Sequence, residues 1–268
     1  MRDKLKSKEY FKELLTTKKQ LIQLNSEGLS LGKVHESKID WTKYRNLGFL
    51  VESIIIKYSS DSSLEELKND FKYPLNQILN SWSPMCTKIN DDKGKLWDQY
   101  MVSPYERFLH LLSLAYLLEV SDSDFQILVD IIDRDNISDN LYEFIIKARF
   151  PDRKQNGPEE YDKEHSVILK VYDKLRKATE QSDKAEASKL VQQFLEKDFY
   201  HKHMNLYNSH KSKANIYCGY WSFEAAAVVK IMGLDDSSFI DNQYYPKDLV
   251  HQSPEPPKKK SILGKLGF

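Results

Sequence analysis

Cysteine is scarce: Cys86 and Cys218 are the only two in 268 residues. Two thiols cannot make a disulfide framework, and such usage fits a reducing compartment, so the expected location is cytoplasmic. Glycine and proline are also few, nine of each, which excludes collagen-like and linker-like chains. No apolar run approaches the roughly 18 residues that a bilayer span needs. Charges interrupt the opening "MRDKLKSKEYFKELL" every two or three residues, so no signal peptide is expected. Motifs for common chemistries are missing as well. There is no GxSxG elbow, no GxxxxGK[ST] phosphate loop, no GxGxxG turn and no HExxH zinc helix. Neither a convincing strand pair nor a fixed-period repeat is apparent.

What remains is a helical pattern. Hydrophobic residues make up 40% and charged residues 30%, a composition that folds and buries a core. Phe11, Leu14, Leu15, Leu21 and Ile22 recur at helical spacing within residues 3–26, with Gly28 as the expected stop. A second helix from about Asp40 carries Leu47, Leu50, Val51, Ile54, Ile55 and Tyr58. Ser63 followed by Glu66 reads as a capping box for a third, which Pro74 should kink or end before "SWSP" at 81–84. Ser103, Pro104 and Glu106 read as the start of a fourth, apolar nearly all round and therefore central. Two shorter helices joined near Asp135–Ser138 follow. A long helix is expected from Pro158 to Thr179, another over 183–200 and a last one from Phe223 to Met232. For that last helix Ser222 is the natural N-cap and Gly233 the terminator. The class is all-α: a multi-helix bundle whose halves, 1–120 and 121–251, pack as one body, with a flexible Lys-rich tail at 252–268.

The formal net charge of zero conceals an uneven distribution. Residues 1–20 carry seven basic and three acidic side chains, and four lysines follow Pro257 without an acid. The intervening chain holds 29 basic and 37 acidic residues, a net of −8. Much of the excess lies between Glu119 and Glu143, where eight carboxylates face one arginine, Arg134. Asp130 and Asp133 share a helix face, as do Asp139 and Glu143, so Asp122, Asp124, Asp130, Asp133, Asp135, Asp139 and Glu143 are expected to form an acidic outer patch. Such a body does not suit nucleic acid, and it does suit a basic protein partner.

Other candidates are weaker. His201, His203 and His210 stand close in sequence to Cys218, but i,i+2 histidines on a helix point to different faces, so no metal site is expected. Arg107 and His110, three apart on a central helix, read as packing. Glu224, in the first turn of its helix, reads as a dipole-stabilised anion rather than a catalytic base, since no acid, base or phosphate motif accompanies it. Trp221 and Tyr220 are placed to staple onto the helix that follows them. No cofactor is expected.

The stretch "GYWSFEAAAVVKIMGLDDSSFIDNQYYPKDLV" at 219–250 closely resembles the C-terminal signature of the PoNi family, bacterial immunity proteins that neutralise PoNe-type DNase toxins. The resemblance lies in "YWSFEAAAV" at 220–228, "GLDDSSF" at 233–239 and "YYPKDLV" at 244–250. Its marked positions are Trp221, Glu224, Gly233, Asp235, Asp236, Tyr244, Tyr245 and Pro246, read here as structural. The resemblance implies a non-enzymatic protein that binds a DNase toxin domain and protects the producing cell and its kin. The partner is then that toxin domain, with no nucleic acid and no stable membrane insertion, while a homo-oligomer stays open. Two alternatives stand beside it. One is a membrane-surface or scaffold adaptor using "KKKSILGKLGF". The other is a metal-dependent helical hydrolase using Glu224 with Asp235, Asp236 or the histidines.

Overall fold

Capping chemistry sets most of the helix starts. A computed structural model describes residues 1–90, 93–155, 170–202 and 207–252. The Ser7 side chain accepts the Tyr10 amide to start α1, Lys8–Ser30. Packed against it, α2 (Ile39–Ser59) buries Leu47, Val51, Ile54, Ile55 and Ile56. Ser63 and Glu66 complete both halves of the capping box at α3, Leu64–Ser81. A short turn α4, Pro84–Thr87, leads into two strands and then α5, Val102–Leu117. Next come α6 (Asp122–Asp135) and α7 (Asn140–Lys147), capped by Ser121 and Asp139. After a 3-10 turn at Lys170–Tyr172 lies α8, Asp173–Thr179. Helix α9, Lys184–Gln193, widens into a π turn over Phe194–Phe199 and closes at Tyr200–Lys202. The signature supplies α10, Phe223–Met232, and the single turn α11, Lys247–Val250.

The core runs through the whole described chain as one cluster. Its centre is α5, where Phe108, Leu109, Leu111, Leu112, Leu114 and Ala115 are all sealed from solvent. Helix α10 lies against α5, and the small side chains of Ala225, Ala226 and Ala227 leave room for that approach.

Four local expectations need correction. A strand pair does exist: β1, Lys88–Asn90, pairs antiparallel with β2, Leu96–Tyr100. It is too short for an alternating pattern to register, and Lys88 pins it by reaching Asp98 at 2.7 Å and the Asp135 carbonyl at 2.9 Å. Helix α1 passes through Gly28 and ends before Gly32, which takes the left-handed φ of +64°. A mid-helix glycine costs about 1 kcal/mol, which tertiary contacts readily offset. Pro74 does not end α3; it is buried within it. Helix α5 begins at Val102, with Met101 rather than Ser103 at the cap position. The Trp221 ring lies 5.0 Å from that of Tyr58 on α2, which also meets Phe223 at the start of α10. The expected helix from Pro158 falls outside the described residues up to 169, as do His203 and the tail from 253. Among the described residues no helix is long and apolar enough to cross a membrane.

Candidate functional site

The acidic segment turns out to be two populations. Asp122, Asp130 and Asp133 are exposed and Asp124 is half-buried, all on α6. Asp135, Asp139 and Glu143 are instead buried, at 2%, 1% and 2% exposure, so they cannot belong to an outer stripe. Each is sealed by a specific partner. Asp135 accepts from Arg134 Nε and from the Tyr100 hydroxyl, both at 2.7 Å. Asp139 caps α7 by accepting the Tyr142 amide at 2.8 Å, and its other oxygen accepts from Arg176 at 2.9 Å. Glu143 accepts from Arg153 Nε at 3.0 and 3.1 Å, while the same guanidinium forks onto Asp133 at 2.7 and 2.9 Å. Three arginines from beyond the segment, Arg149, Arg153 and Arg176, thus neutralise much of its charge. Lys230 does the same for Glu119. Only Asp124 and Asp130 are left without a basic partner among the described residues; Asp130 accepts from Gln126 at 2.7 Å.

The signature stretch is a corner built from hydrogen bonds to distant parts of the chain. Ser222 caps α10, accepting the Ala225 amide and donating to Glu224 Oε1 at 2.8 Å. Gly233 ends that helix at φ +58°. Trp221 Nε1 donates to Ser59 Oγ at 2.8 Å, and Ser59 in turn donates to the Cys218 carbonyl at 2.6 Å. Gly219 sits at φ +128°, and a Cβ there would stand 2.3 Å from Ser59 Oγ and 2.4 Å from Trp221 Nε1. No other residue type fits that joint. Asp235 caps the following turn by accepting the Ser237 amide. Asp236 is buried and accepts from the Tyr245 hydroxyl, with His251 Nε2 also 2.7 Å away. The Tyr244 carbonyl accepts the Ser222 amide, tying the turn back to the helix start. Pro246 is buried at the start of α11.

Glu224 is fully sealed, its Oε2 lying 3.7 Å from His110 Nε2 on α5. Burial pushes its carboxyl up to about 7, opposed by hydrogen bonds from the backbone and Ser222. Glu106, one turn before His110, is raised further, to about 8, by burial and then by the charge of Glu224. Glu224 and Glu106 are thus buried and His110 is partly buried, at the seam where α10 meets α5. The His210 ring is hydrogen-bonded through Nδ1 to the Tyr220 hydroxyl at 2.7 Å. Among the described residues no three His, Cys, Asp or Glu side chains converge as metal ligands would.

Beside the corner opens a cleft of about 470 Å³. One bank is residues 1–5, the other is the turn 240–248, and Tyr58, Tyr217, Tyr220 and Trp221 form the walls between them. Arg2 bridges the banks: its Nε donates to Asp248 at 2.6 Å, and Nη1 donates to the carbonyls of Tyr58 and Ser62. Tyr58 also donates to Asp248, and its ring lies under the Arg2 guanidinium. Asp3 accepts from the Tyr217 hydroxyl and from the amides of Leu5 and Lys6. None of these partners was legible beforehand, because Arg2, Tyr58, Ser59 and Gly219 meet their contacts across up to 246 residues of chain.

Comparison with protein families decides the grouping. The description "PoNe immunity protein (PoNi), N-terminal" matches residues 2–130, and "PoNe immunity proteins (PoNi), C-terminal" matches residues 137–249. The chain belongs to the PoNi family. No curated protein and no solved structure matches it. The contacts just described join the two matched stretches: Arg2 with Asp248, Ser59 with Trp221, and His110 with Glu224. The PoNi signature is therefore one of the parts of the C-terminal stretch that hold the N-terminal one, beside Tyr142 and Arg176 on Tyr105 and Tyr217 on Asp3.

Proposed function

We propose that this chain is a cytoplasmic antidote that binds the nuclease domain of a PoNe-type DNase toxin and blocks it by occupancy, with no catalysis of its own. Membership of the immunity family over both matched stretches carries the reading. The chemistry of the interior supports a binder. Glu224, the carboxylate best placed to be a base, is sealed between α5 and α10, and Asp236 is committed to Tyr245 and His251. The exposed acids of α6, Asp122, Asp124, Asp130 and Asp133, suit a steering role. A DNase presents basic groups to phosphate, and a facing negative surface speeds encounter more than it adds affinity. Asp135, Asp139 and Glu143 have no part in that surface.

The test uses the C-terminal domain encoded by the adjacent upstream gene, the expected place for a cognate toxin. Titrating the chain into a plasmid-cleavage assay should abolish cleavage at one equivalent, with a complex co-eluting on gel filtration. Full cleavage with no complex would overturn the reading.

A further inference from the structure

We infer that the toxin is gripped on the outer face of the second half of α3 and of α4, where Tyr73, Leu79 and Met85 form a charge-free centre and Asp124 and Asp130 of α6 form an acidic rim. The occupant is the nuclease domain of the toxin, through an apolar surface edged by basic side chains. This rests on the immunity reading and names the surface that reading requires.

The chain marks this face by leaving charge out of it. Residues 73–87 are its longest stretch without Asp, Glu, Lys or Arg, in a sequence where those types make up 30%. Such a stretch belongs in a core, yet six of its fifteen residues are exposed. Tyr73, Leu79 and Met85 are 66%, 52% and 58% exposed, and the exposed Asn76, Gln77 and Asn80 between them are neutral. Lys68 and Lys72 stand earlier on α3, before the stretch begins, and Lys88, which follows it, is turned inward to Asp98 and the Asp135 carbonyl. Depletion of charge around aromatic and Met side chains is what separates the centre of an interface from ordinary surface.

Helix α6 supplies the rim, and its two flanks differ. Asp122 and Asp133 are already bound to Arg149 and Arg153, so a partner cation there would have to displace a bond the chain makes for itself. Asp124 and Asp130 have no such cation among the described residues. Arg134, one turn after Asp130 on the same face, donates through Nη2 to the Trp82 carbonyl at 2.6 Å. Leu79 lies about one turn before Trp82. The Asp130 carboxylate and the exposed Leu79 therefore stand one turn back from a shared contact, on helices that pack together. Toward Arg149 and Arg153 the surface has no such anchor, since no large apolar side chain of α7 is exposed. A DNase binds phosphate through basic groups, so acids beside an apolar centre complement its surface. A second copy of this chain does not, because a two-fold contact through this face would bring the α6 acids of one copy toward those of the other.

The experiment measures binding of the full chain to the same C-terminal domain used in the cleavage test. Leu79→Arg and Met85→Arg each put a cation into the charge-free centre, at exposed positions, with folding checked by circular dichroism. Each should weaken binding by roughly 30-fold or more, as loss of a hot-spot anchor does. Leu24→Arg, at a leucine of α1 that is 65% exposed, is the control and should stay within about threefold of wild type. Wild-type binding with both face variants within about threefold of it would overturn the face while leaving the immunity reading intact. An equal loss in the Leu24 variant would overturn it too. No binding by the wild type would remove that reading, and the face with it. A dimer of the chain alone that Leu79→Arg dissociates would give the face to a second copy and overturn the toxin as occupant. Hydroxyl-radical footprinting of the wild-type complex needs no variant: Tyr73 and Met85 should be protected, and full reactivity at both would also overturn the assignment.

Discussion

The acidic segment 119–143 and the signature 219–250 are opposites in how their charges are used. In the first, charges spaced to share a helix face divide between solvent and core. Asp130 stays on the surface, while Asp139 and Glu143 turn inward to arginines brought from α8 and from the chain after α7. In the second, almost every polar group closes a joint: Trp221 on Ser59, Tyr245 on Asp236, Ser222 on Glu224. A run of like charge is thus a poor guide to surface, because a partner distant in sequence can neutralise it. A mixed run of aromatic, acidic and small residues is a better guide to structure.

That contrast can be broken at Gly219. Gly219→Ala forces an unfavourable φ and a Cβ 2.3 Å from Ser59 Oγ, so it should cost roughly 4 kcal/mol or more, or abolish folding. Urea denaturation measures it, and a loss under about 1 kcal/mol would mean the joint is loose.

Next in size is the buried acid. Asp139→Ala removes the carboxylate that Arg176 meets at 2.9 Å and uncaps α7, for a loss of about 3–5 kcal/mol. Asp130→Ala, in the same sequence segment, should stay within about 0.5 kcal/mol. Equal effects at the two positions would erase the division into buried and exposed acids.

Glu224 and Glu106 give the seam a pH signature. Unfolded glutamates titrate near 4.3, whereas these two are raised to about 7 and about 8. Between those values the folded state holds more protons than the unfolded one. Their contribution is therefore fully present below about pH 4 and is lost as pH rises through 7 to 8. Stability should fall by several kcal/mol between pH 5 and pH 8.5, followed by urea midpoints at each pH. Replacing both with glutamine should flatten that slope; an unchanged slope would place its origin elsewhere.

The smallest effect on stability, and the most informative for function, belongs to the α6 surface. Asp124→Lys with Asp130→Lys should change stability by no more than about 0.5 kcal/mol. The same pair should slow association with the nuclease domain several-fold and weaken its dependence on salt, read by stopped flow. Unchanged association rates would remove the acidic face from the mechanism.

Much of the helix layout was legible because its signals are local. Ser63 with Glu66, Ser222 with Gly233, and the all-round apolar character of α5 each act within one or two turns. The hairpin at Lys88–Tyr100 was not, since its pairing depends on a lysine reaching Asp135 on another helix. Of the site, the signature was readable as a corner, yet the cleft beside it was invisible. Its other bank is residues 1–5, and no spacing rule connects Arg2 to Asp248.

By itself, the sequence determined some helix ends, those at Ser63, Ser222 and Gly233, that α5 is central and which residues share a face. Helical periodicity fixes angles around an axis, and caps fix positions along it. Only the tertiary structure decided which faces look outward, since that depends on what packs against them. Arg134, Arg153 and Arg176 turned three of the eight acids of the 119–143 run into core, and Tyr58 and Ser59 turned the signature into one wall of a cleft.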